Sequence, residues 1–489
     1  MAPAASVEET VQIDLASARA AQARWAGQPV RARLRLLREL RHRIASAAVE
    51  LAATVPLSIP GLLHRTLADT LCSEVFPLVE ACRYLEREAP RLLAPRRQSA
   101  RLRPIWLGGV SVETRREPFG VILIIGPGNY PLFLPGAQAL QALAAGNAVL
   151  WKPAPGCAGP AHALHSMLVA AGLDPHLFTV LEESPQAAQA AIEAGVDKVL
   201  LTGSATTGRA VFSALADRLT PAVMELSGCD AVFVLEGADL ARTAEAIAFG
   251  LRFNASATCM APRRLILARS LYESLKPHLE CALRAIPPVP VPAATRARLG
   301  DLLSEATLFG ASIALNGIDA PPDSLGATLV DNAAPSMRIT SSDIFAPVLA
   351  VLHAATQDEA LALHRHCAYA LTAAVFGPPR AAEQLAAHIH AGAVLINDII
   401  VSTSDPRASF GGIGLSGFGS TRGPEGLLEM TFVKNILIQR SRSLRPYEPT
   451  TPAHVHFFAA FLRMIHGRGA RTRFAALRAL INSALKLNS

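Results

Sequence analysis

The sequence predicts an α/β protein with a mainly parallel sheet, and three observations carry that prediction. Short apolar runs such as residues 121–125 and 148–151 are bounded by turn residues, as expected of buried strands. Helical patterns separate consecutive runs, and this alternation is typical of parallel strands joined by helical crossovers. Polar or glycine-rich segments follow several runs directly, which places them at the carboxyl ends of strands, where such sheets bind ligands.

The first half of the chain divides into elements in order. Residues 10–50 and 62–92 carry apolar side chains near every third or fourth position and predict helices. Predicted strands and helices then alternate. The strands are 121–125, 148–151, 177–181, 198–201 and 222–225, and the helices between them are 134–145, 160–171, 185–194 and 209–218.

A second α/β half is predicted to begin near Asp230. The Pro-rich stretch 287–293 and the segment 318–326 predict loops. Residues 410–419 contain too many glycines for a helix or strand, so we expect a loop pressed against other backbone. The strands predicted in this half are 264–267, 348–352, 371–376 and 393–397.

Length and composition indicate which class of protein this is. A chain of 489 residues, 51% of them hydrophobic, predicts a globular protein of at least two domains. It contains no uninterrupted apolar stretch of about 18 residues, so a spanning helix is not expected, and its N-terminus lacks the apolar core of a signal peptide. The seven cysteines show no metal-ligand spacing. We therefore expect reduced thiols, no metal site and a cytoplasmic protein.

The net charge of +7 is concentrated at the C-terminus. Residues 451–489 contain five arginines and one lysine but no acidic residue. Such charge can indicate a nucleic acid, a membrane or an anionic ligand, and the absence of a nucleic-acid motif argues against the first. Apolar residues at near-helical spacing in 471–487 predict an amphipathic helix. It would lie peripherally on an anionic membrane surface, or dock on its own protein or a partner subunit.

Cys259 and Glu225 are the first candidates for chemistry. A free cysteine is usually a small buried hydrophobe, but the small residues at 255–258 would let a substrate approach the thiol of Cys259. A nucleophilic cysteine must reach its thiolate form. Glu225 lies 34 residues upstream, at the end of a predicted buried strand. A glutamate is most often solvated or salt-bridged, whereas a buried one has a raised pKa that suits proton transfer.

Three further segments lie at predicted strand ends. Asn129 follows the first buried strand and is either an ordinary turn residue or an amide donor to an oxyanion. Lys152 ends the next strand and is either solvated or a donor to ribose hydroxyls. The loop 203–208 opens a helix whose first N–H groups would favour a phosphate, although this glycine pattern alone fits any turn from strand to helix.

Together these segments resemble the aldehyde dehydrogenase superfamily over roughly residues 10–440. Several motifs match in order, which makes the resemblance specific. The matched segments are EPFG at 117–120 with GPGNYP at 126–131, KPAP at 152–155, LTGS at 201–204, ELSG at 225–228, the cysteine at 259, DIFAPV at 343–348, ALTAAVF at 370–376 and SFGGIGLSG at 409–417.

The resemblance implies a fold and a domain organisation. The fold is that of aldehyde dehydrogenases, with a Rossmann-type cofactor domain, a second α/β catalytic domain and a small β arm for oligomerisation. The expected boundaries are 1–99 and 117–227 for the NAD(P)-binding domain, 228–425 for the catalytic domain, 100–116 and 426–445 for the arm, and 446–489 for a basic amphipathic tail.

The resemblance also implies a mechanism. The Cys259 thiolate attacks an aldehyde, Asn129 and the Cys259 N–H hold the oxyanion, and Glu225 activates the water that hydrolyses the resulting thioester. The cofactor is NAD or NADP, which accepts the hydride. The implied cofactor-binding residues are Lys152 at the adenosine ribose, Ser204 at the pyrophosphate, Asp343 at the nicotinamide ribose and Phe345 near the nicotinamide ring, together with Pro127, Gly203, Gly208 and Leu226.

Within the superfamily, the chain is most similar to the class 3 branch. The short N-terminus, the SFGG and SGFGS segments and the entry to the tail at Pro446 carry this likeness. The branch includes dimeric enzymes that act on fatty and aromatic aldehydes. The resemblance therefore implies a homodimer that oxidises a hydrophobic aldehyde to its acid.

Four positions depart from the family pattern. Gly128 stands where the family usually has tryptophan, and Ser256-Ala257 replaces the usual Gly-Gln. Asp343 is shorter than the usual glutamate, so we expect a looser nicotinamide end. Pro155 replaces a glutamate common in NAD-preferring members, and without that carboxylate the use of NADP becomes plausible.

Two alternatives stay open at this point. In a reductive or CoA-acylating enzyme a thiol would resolve the thioester, a route that does not need the activated water for which Glu225 is suited. The altered positions Gly128, Ala257 and Asp343 also leave room for a non-catalytic scaffold or binding protein.

Overall fold

The computed structural model describes residues 6–442 and 447–487. Residues 1–5, where the predicted cofactor domain begins, lie outside the described residues. So do 443–446, including the predicted start of the tail at Pro446, and 488–489.

Helices form the N-terminal segment, as predicted, but in shorter pieces. Their apolar faces pack on the first sheet through residues such as Leu37, Leu40 and Leu78. A π-helical turn, Leu71–Val75, interrupts the predicted helix 62–92. The α-helices here are Val7–Ala26, Val30–Ser46, Ala48–Ala53, Leu67–Thr70 and Phe76–Leu92. A two-stranded hairpin, Ser58–Ile59 with Leu63–His64, lies between them.

The first sheet contains all the strands predicted for the first half. Its strands run parallel except for Gly417–Phe418, which pairs antiparallel with Ala222–Leu226. In spatial order they are Gly417–Phe418, Ala222–Leu226, Lys198–Gly203, Val121–Ile125, Ala148–Lys152 and Phe178–Val180. The connecting helices are Phe133–Ala145, Ala158–Ala170, Pro185–Ala194 and Ala205–Leu215. The carboxyl ends of the parallel strands therefore share one edge.

The second sheet is buried on both faces. Alternate residues of the strand Asp230–Val234 enter different apolar clusters, with Phe233 in one and Val232 in the other. In spatial order the strands are Ser312–Leu315, Thr328–Asp331, Val348–His353, Pro262–Leu267, Asp230–Val234, Thr372–Phe376 and Ala393–Ile396. Its helices are Leu240–Arg252, Arg269–Arg284, Ala293–Leu308, Gln357–Arg365 and Pro379–Ala386. The predicted loops 287–293 and 318–326 are joined by two-residue strands, Val289–Pro290 with Ser324–Leu325. Ile413–Gly414, in the predicted loop 410–419, pairs with Tyr369–Ala370.

The glycine-rich segment 410–419 is not only a loop, so the prediction that it forms no strand was wrong. Gly417 lies opposite Glu225 in the antiparallel pair. A Cβ on Gly417 would meet the Met224 carbonyl oxygen at 1.9 Å, and its φ is 103°. Glycine is thus what allows this backbone to reach the strand that carries Glu225. The predicted close approach to other backbone is confirmed.

The chain divides into two compact units, one of residues 1–96 and 114–434 and the other of residues 97–113 and 435–489. A small sheet is formed by Thr431–Gln439, Val110–Pro118 and Arg96–Arg97. The helix Gly423–Glu429 precedes it. In the second unit the helices are His454–His466 and Ala470–Leu487. Within the described residues no helix is both long and apolar enough to cross a membrane. The predicted domain boundaries stay predictions.

Candidate active site

The fold brings Glu225 and Cys259 together. Glu225 lies on the strand Ala222–Leu226 of the first sheet, and Cys259 lies in the turn that enters the strand Pro262–Leu267 of the second. The Cys259 Sγ donates a hydrogen bond to Glu225 Oε1 at 3.6 Å. Glu225 is only 2% exposed, and its Oε2 has no hydrogen-bond partner among the described residues. A thiol and a carboxylate in contact can attack a carbonyl and transfer protons.

The surroundings raise the pKa of both groups. Burial raises the pKa of Glu225, and the Arg422 charge and the Cys259 hydrogen bond partly oppose it. Burial also holds the pKa of the Cys259 thiol well above its ordinary value, and the charges of Glu225 and Asp230 act in the same direction. A carboxylate whose pKa is raised can take a proton from water near neutral pH and release it again.

The turn before the thiol has an unusual backbone. Asn254, Ala255 and Ser256 all have left-handed conformations, with φ of 49°, 52° and 64°. Such conformations cost free energy in residues other than glycine and persist only where surrounding contacts hold them. Ser256 stands where the family resemblance expects glycine, so the departure keeps a position with positive φ but adds a side chain.

Arg263 is one of the contacts that hold this turn. Its buried guanidinium donates to Ser256 Oγ at 2.7 Å, to Ser256 O at 2.7 Å and to Ala346 O at 2.6 Å. The hydroxyl of Ser256 therefore has a structural role. The arginine also links the nucleophile turn to the segment that carries Asp343 and Phe345. Sequence reasoning missed Arg263, whose only visible signal was a charge at the start of a predicted buried strand.

The predicted oxyanion residue is tied to the same turn. Asn129 Nδ2 donates to Ala257 O at 3.0 Å, which occupies one of its two N–H donors and leaves the second for an oxyanion. The side chain of Asn254 donates to Asn129 O at 3.0 Å and to Ala257 O at 3.2 Å. Next to them, the Tyr130 hydroxyl and Thr258 Oγ1 are 2.9 Å apart. These bonds tie Asn129 to the turn that carries Cys259.

A buried ion pair between Arg65 and Glu74 stabilises the start of the helix that follows Asn129. Glu74, in the π-helical turn, accepts hydrogen bonds from Leu132 N at 2.6 Å and Phe133 N at 2.8 Å. These N–H groups begin the helix that follows Asn129, and a carboxylate at that end stabilises it. Arg65 pairs with the other oxygen of Glu74, and its guanidinium lies over the Tyr130 ring.

The space beside Gly128 is filled by a side chain from another element. A Cβ at this position would meet Leu62 Cδ1 at 3.1 Å and Ala154 Cβ at 3.5 Å. Leu62, from the N-terminal hairpin, therefore occupies space that the family's larger residue would need. The substitution leaves this wall of the site packed.

A cavity of about 1100 Å³ reaches Cys259 and Glu225 from solvent. Its wall is mainly apolar and aromatic. The apolar lining includes Leu57, Leu67, Phe133, Phe249, Phe253, Met260, Val289, Ile400, Val401 and Phe410. This volume is above the range of about 300–1,000 Å³ that holds most small-molecule ligands.

The predicted nucleotide residues line one edge of the first sheet. Leu226, Gly203 and Lys152 end parallel strands, and Pro127 follows the end of the strand that lies between those of Gly203 and Lys152. Parallel α/β sheets bind nucleotides along such an edge. The structure thus brings together side chains that lie up to 99 positions apart in the sequence.

The loop at Ser204 is built as a helix N-terminus. Ser204 caps the helix Ala205–Leu215 by accepting from Thr207 N at 3.1 Å. Gly208, on the same helix, packs against Leu226, because a Cβ on it would meet Leu226 Cδ1 at 2.7 Å. The first turn of this helix is therefore pressed close to the sheet, and its exposed N–H groups suit a phosphate.

Lys152 has a neighbour that sequence reasoning missed. Burial lowers the pKa of Lys152, and the charge of Glu183 partly restores it. Glu183 accepts from Gly156 N at 2.8 Å and Ala158 N at 2.7 Å, so its carboxylate is held at the turn that contains Pro155. A carboxylate from another segment therefore lies at this turn.

Asp343 and Phe345 lie in the segment that enters the strand Val348–His353. Burial raises the pKa of Asp343, and Ser227 and Arg263 partly oppose it. Its buried Oδ1 has no hydrogen-bond partner among the described residues, which fits an acceptor for a ribose hydroxyl. Together with the helix N-terminus at Ser204 and the cation of Lys152, the donor set fits a dinucleotide.

Comparison with known proteins decides the family. Residues 2–436 match the model of the aldehyde dehydrogenase family. The chain belongs to this family. It is therefore an oxidoreductase that converts aldehydes to acids with NAD or NADP, as the motifs predicted.

Named relatives and solved structures agree with this assignment. The chain is 28% identical to a 4,4'-diapolycopene aldehyde oxidase of Methylomonas sp. over 470 residues, which cover 94% of this chain and 87% of that protein. It is 28% identical to a probable coniferyl aldehyde dehydrogenase of Pseudomonas aeruginosa over 389 residues, covering 76% and 79%. Betaine aldehyde dehydrogenase from Staphylococcus aureus superposes with a TM-score of 0.81 at 22% identity, covering 91% and 92% of the two chains. This last likeness supports the fold.

Proposed function

We propose that the protein oxidises a long, hydrophobic aldehyde to its carboxylic acid, with Cys259 as nucleophile and Glu225 as general base. The observation that carries the proposal is the contact of 3.6 Å between Cys259 Sγ and Glu225 Oε1, two residues that line a large, mainly apolar cavity. The likeness to the class 3 branch is part of the proposal.

The chemistry follows from the positions of these groups. The Cys259 thiolate adds to the aldehyde carbon, and the free N–H of Asn129 with the Cys259 backbone N–H stabilises the oxyanion. A dinucleotide held by Lys152, the helix N-terminus at Ser204 and Asp343 would supply the hydride acceptor, so that the adduct on Cys259 would become a thioester. Glu225 then takes a proton from water, the hydroxide attacks the thioester, and the acid leaves as the thiol is restored. A buried carboxylate beside the thiol favours this water route over acyl transfer to coenzyme A.

The cavity supports the hydrophobic substrate class. Its apolar wall would remove methylene groups from water, at about 0.8 kcal/mol for each. Two relatives are named for extended or aromatic aldehydes, 4,4'-diapolycopene aldehyde oxidase and coniferyl aldehyde dehydrogenase. Others are named putative succinate-semialdehyde dehydrogenase, a name that points to a carboxylate-bearing substrate instead.

A series of straight-chain aldehydes tests the substrate class. We expect kcat/KM to rise about fourfold for each methylene added between propanal and decanal, until the cavity is filled. Val401→Asp, which places a charge in the wall, should flatten this dependence. Val49→Asp, at an exposed valine outside the cavity, should not. A flat series in the wild type, or higher kcat/KM for succinic semialdehyde than for decanal, would contradict the proposal.

The cofactor groups divide between two ends of the site. Lys152 would donate to the adenosine ribose, and the helix N-terminus at Ser204 would hold the pyrophosphate, with Pro127, Gly203, Gly208 and Leu226 shaping the backbone around them. Asp343 would accept from the nicotinamide ribose, with Phe345 beside the ring. These roles are supported by the shared sheet edge and by the unpaired Oδ1 of Asp343.

We expect Glu183 to favour NAD over NADP. Its carboxylate acts on Lys152 and would repel a 2′-phosphate placed there. Glu183→Gln should raise the ratio of kcat/KM for NADP to that for NAD by about tenfold or more. Glu182→Gln, at the exposed neighbour, is the matched control. Equal ratios in the two variants, or a wild type that prefers NADP, would show that Glu183 does not set the choice.

A homodimer is part of the proposal. The strand Thr431–Gln439 lies at the edge of its sheet and exposes Phe432, Val433, Leu437 and Ile438. Exposed apolar edge strands pair readily with another chain. Light scattering should give a mass of two chains, and Leu437→Lys should shift it toward one. A monomeric wild type would contradict this.

The second compact unit is proposed to contact an anionic membrane peripherally, on an otherwise cytoplasmic enzyme. Residues 97–113 and 435–489 contain twelve lysines and arginines against two acidic residues. Phe474, Leu477, Ile481 and Leu485 are exposed on the helix Ala470–Leu487, at spacings that share one face. An exposed apolar stripe flanked by arginines suits the surface of anionic lipid.

Flotation on phosphatidylserine vesicles tests this contact. The full chain should float, and the form 1–446 should not. Phe474→Ser with Ile481→Ser should lower the floating fraction at least about tenfold. Leu308→Ser with Phe309→Ser, at exposed apolar residues of the other unit, should leave it unchanged. Equal flotation of the full and shortened chains would contradict the proposal and favour docking on protein.

A further inference from the structure

Arg422 is a buried cation that the proposed mechanism does not use. It precedes the helix Gly423–Glu429, and its side chain lines the cavity that reaches Cys259. The guanidinium lies 4.4 Å from the centre of the Phe410 ring, and its Nη1 donates to Thr403 O at 2.6 Å. Its buried Nε has no hydrogen-bond partner among the described residues.

Arg422 has no close ion-pair partner in the part of the chain that the structure describes. Within residues 6–442 and 447–487, no carboxylate lies within 4.0 Å of its guanidinium. The negative charges that act on it are those of Glu225 and Cys259. Burying an unpaired cation costs several kcal/mol unless nearby groups of opposite charge offset it. The position of Arg422 is therefore best explained by a site that becomes negative during the reaction.

Arg422 affects the pKa of Cys259 in the opposite direction to the nearby carboxylates. Glu225 and Asp230 disfavour a thiolate at Cys259, whereas Arg422 favours it. The titratable and charged groups that act on Cys259 or are acted on by it are Glu225, Asp230, Arg422, Arg263 and Tyr130. Arg263 donates three hydrogen bonds to Ser256 and to the Ala346 carbonyl. Arg422 is therefore the arginine whose charge acts on the thiol.

We propose that Arg422 is the resident cation of the active site, which stabilises the Cys259 thiolate during attack on the aldehyde and the Glu225 carboxylate before it takes a proton from water. No bond is made or broken on Arg422. The inference deepens the proposed function and rests on it, because it gives the two groups the roles assigned above.

Alkylation of Cys259 by iodoacetamide, followed by peptide mass spectrometry across pH 6–10, tests this without requiring turnover. Arg422→Gln keeps a donor for Thr403 O but removes the charge, and Arg422→Lys keeps the charge. We expect Arg422→Gln to lower the alkylation rate of Cys259 at pH 7 about tenfold or more and to displace the profile to higher pH. Arg422→Lys should recover most of the rate. Arg33→Met, at an arginine that is equally buried but remote from the thiol, should leave the profile unchanged.

The outcomes separate this inference from the proposed function. An unchanged alkylation profile in Arg422→Gln would overturn the role of Arg422, even if the wild type oxidises decanal. If Arg422→Gln displaces the alkylation profile but the wild type turns over no aldehyde, the effect of Arg422 on the thiol stands and the proposed function is rejected. If Arg422→Gln affects only KM for carboxylate-bearing aldehydes, the arginine recognises substrate and the inference fails.

Discussion

We expect Cys259→Ala to abolish aldehyde oxidation. We expect kcat to fall at least about 10⁴-fold, because the variant lacks the thiol that is proposed to form the covalent intermediate. The thiol lines the cavity and is in contact with Glu225. The measurement is the absorbance of reduced cofactor with decanal at saturating NAD.

The variant should keep its fold and its cofactor site. Cys259 is half-buried in a turn held by Arg263 and Asn254, so removal of its sulfur leaves these contacts in place. Cys281→Ala, at an exposed free cysteine, is the matched control and should retain full activity. Turnover that survives in Cys259→Ala would exclude the assigned nucleophile.

Glu225→Gln should uncouple acylation from hydrolysis. The amide cannot take a proton from water, so we expect kcat to fall about 10²–10⁴-fold. Acylation needs only the thiolate, the oxyanion donors and the cofactor. A rapid burst of about one reduced cofactor per active site should therefore remain before the slow steady state.

The pH dependence of kcat should also change in Glu225→Gln. Burial raises the pKa of Glu225, and the base must be ionised to act, so wild-type kcat should fall as the pH drops through that raised pKa. In Glu225→Gln this limb should disappear, and the slow rate should instead rise with hydroxide concentration. Glu236→Gln, at a carboxylate remote from the thiol, serves as the control. Loss of the burst in Glu225→Gln would mean that the carboxylate is needed for attack rather than for hydrolysis.

The fold was largely predictable because its signals are local. Four of the five strands of the first half are buried almost throughout, so each appears as a short apolar run between turn residues. The strand Asp230–Val234 was not predicted, since it begins with a buried aspartate whose partner, Thr372, is remote in the chain. The short strand Gly417–Phe418 exists only because the strand that carries Glu225 lies beside it.

The residues of the candidate site that lie in sequence motifs were predictable. The residues from distant segments that hold them in place were not. The motifs predicted Cys259, Glu225 and Asn129 as site residues from residue type and order, and the fold places them close together. The residues that hold them, Arg263 and Asn254, have at most a weak sequence signal, because their roles depend partly on partners remote in the chain, Ala346 and Asn129. Two departures are explained the same way, since Leu62 fills the space beside Gly128 and Arg263 binds the added hydroxyl of Ser256.

Trapping the covalent intermediate tests the central claim most directly. Glu225→Gln is mixed with NAD and decanal, quenched in acid within the burst, and digested for peptide mass spectrometry. The account predicts one decanoyl group per active site, carried by the peptide that contains Cys259. Reduced cofactor formed with no acyl group on the protein, or an acyl group on another cysteine, would contradict it.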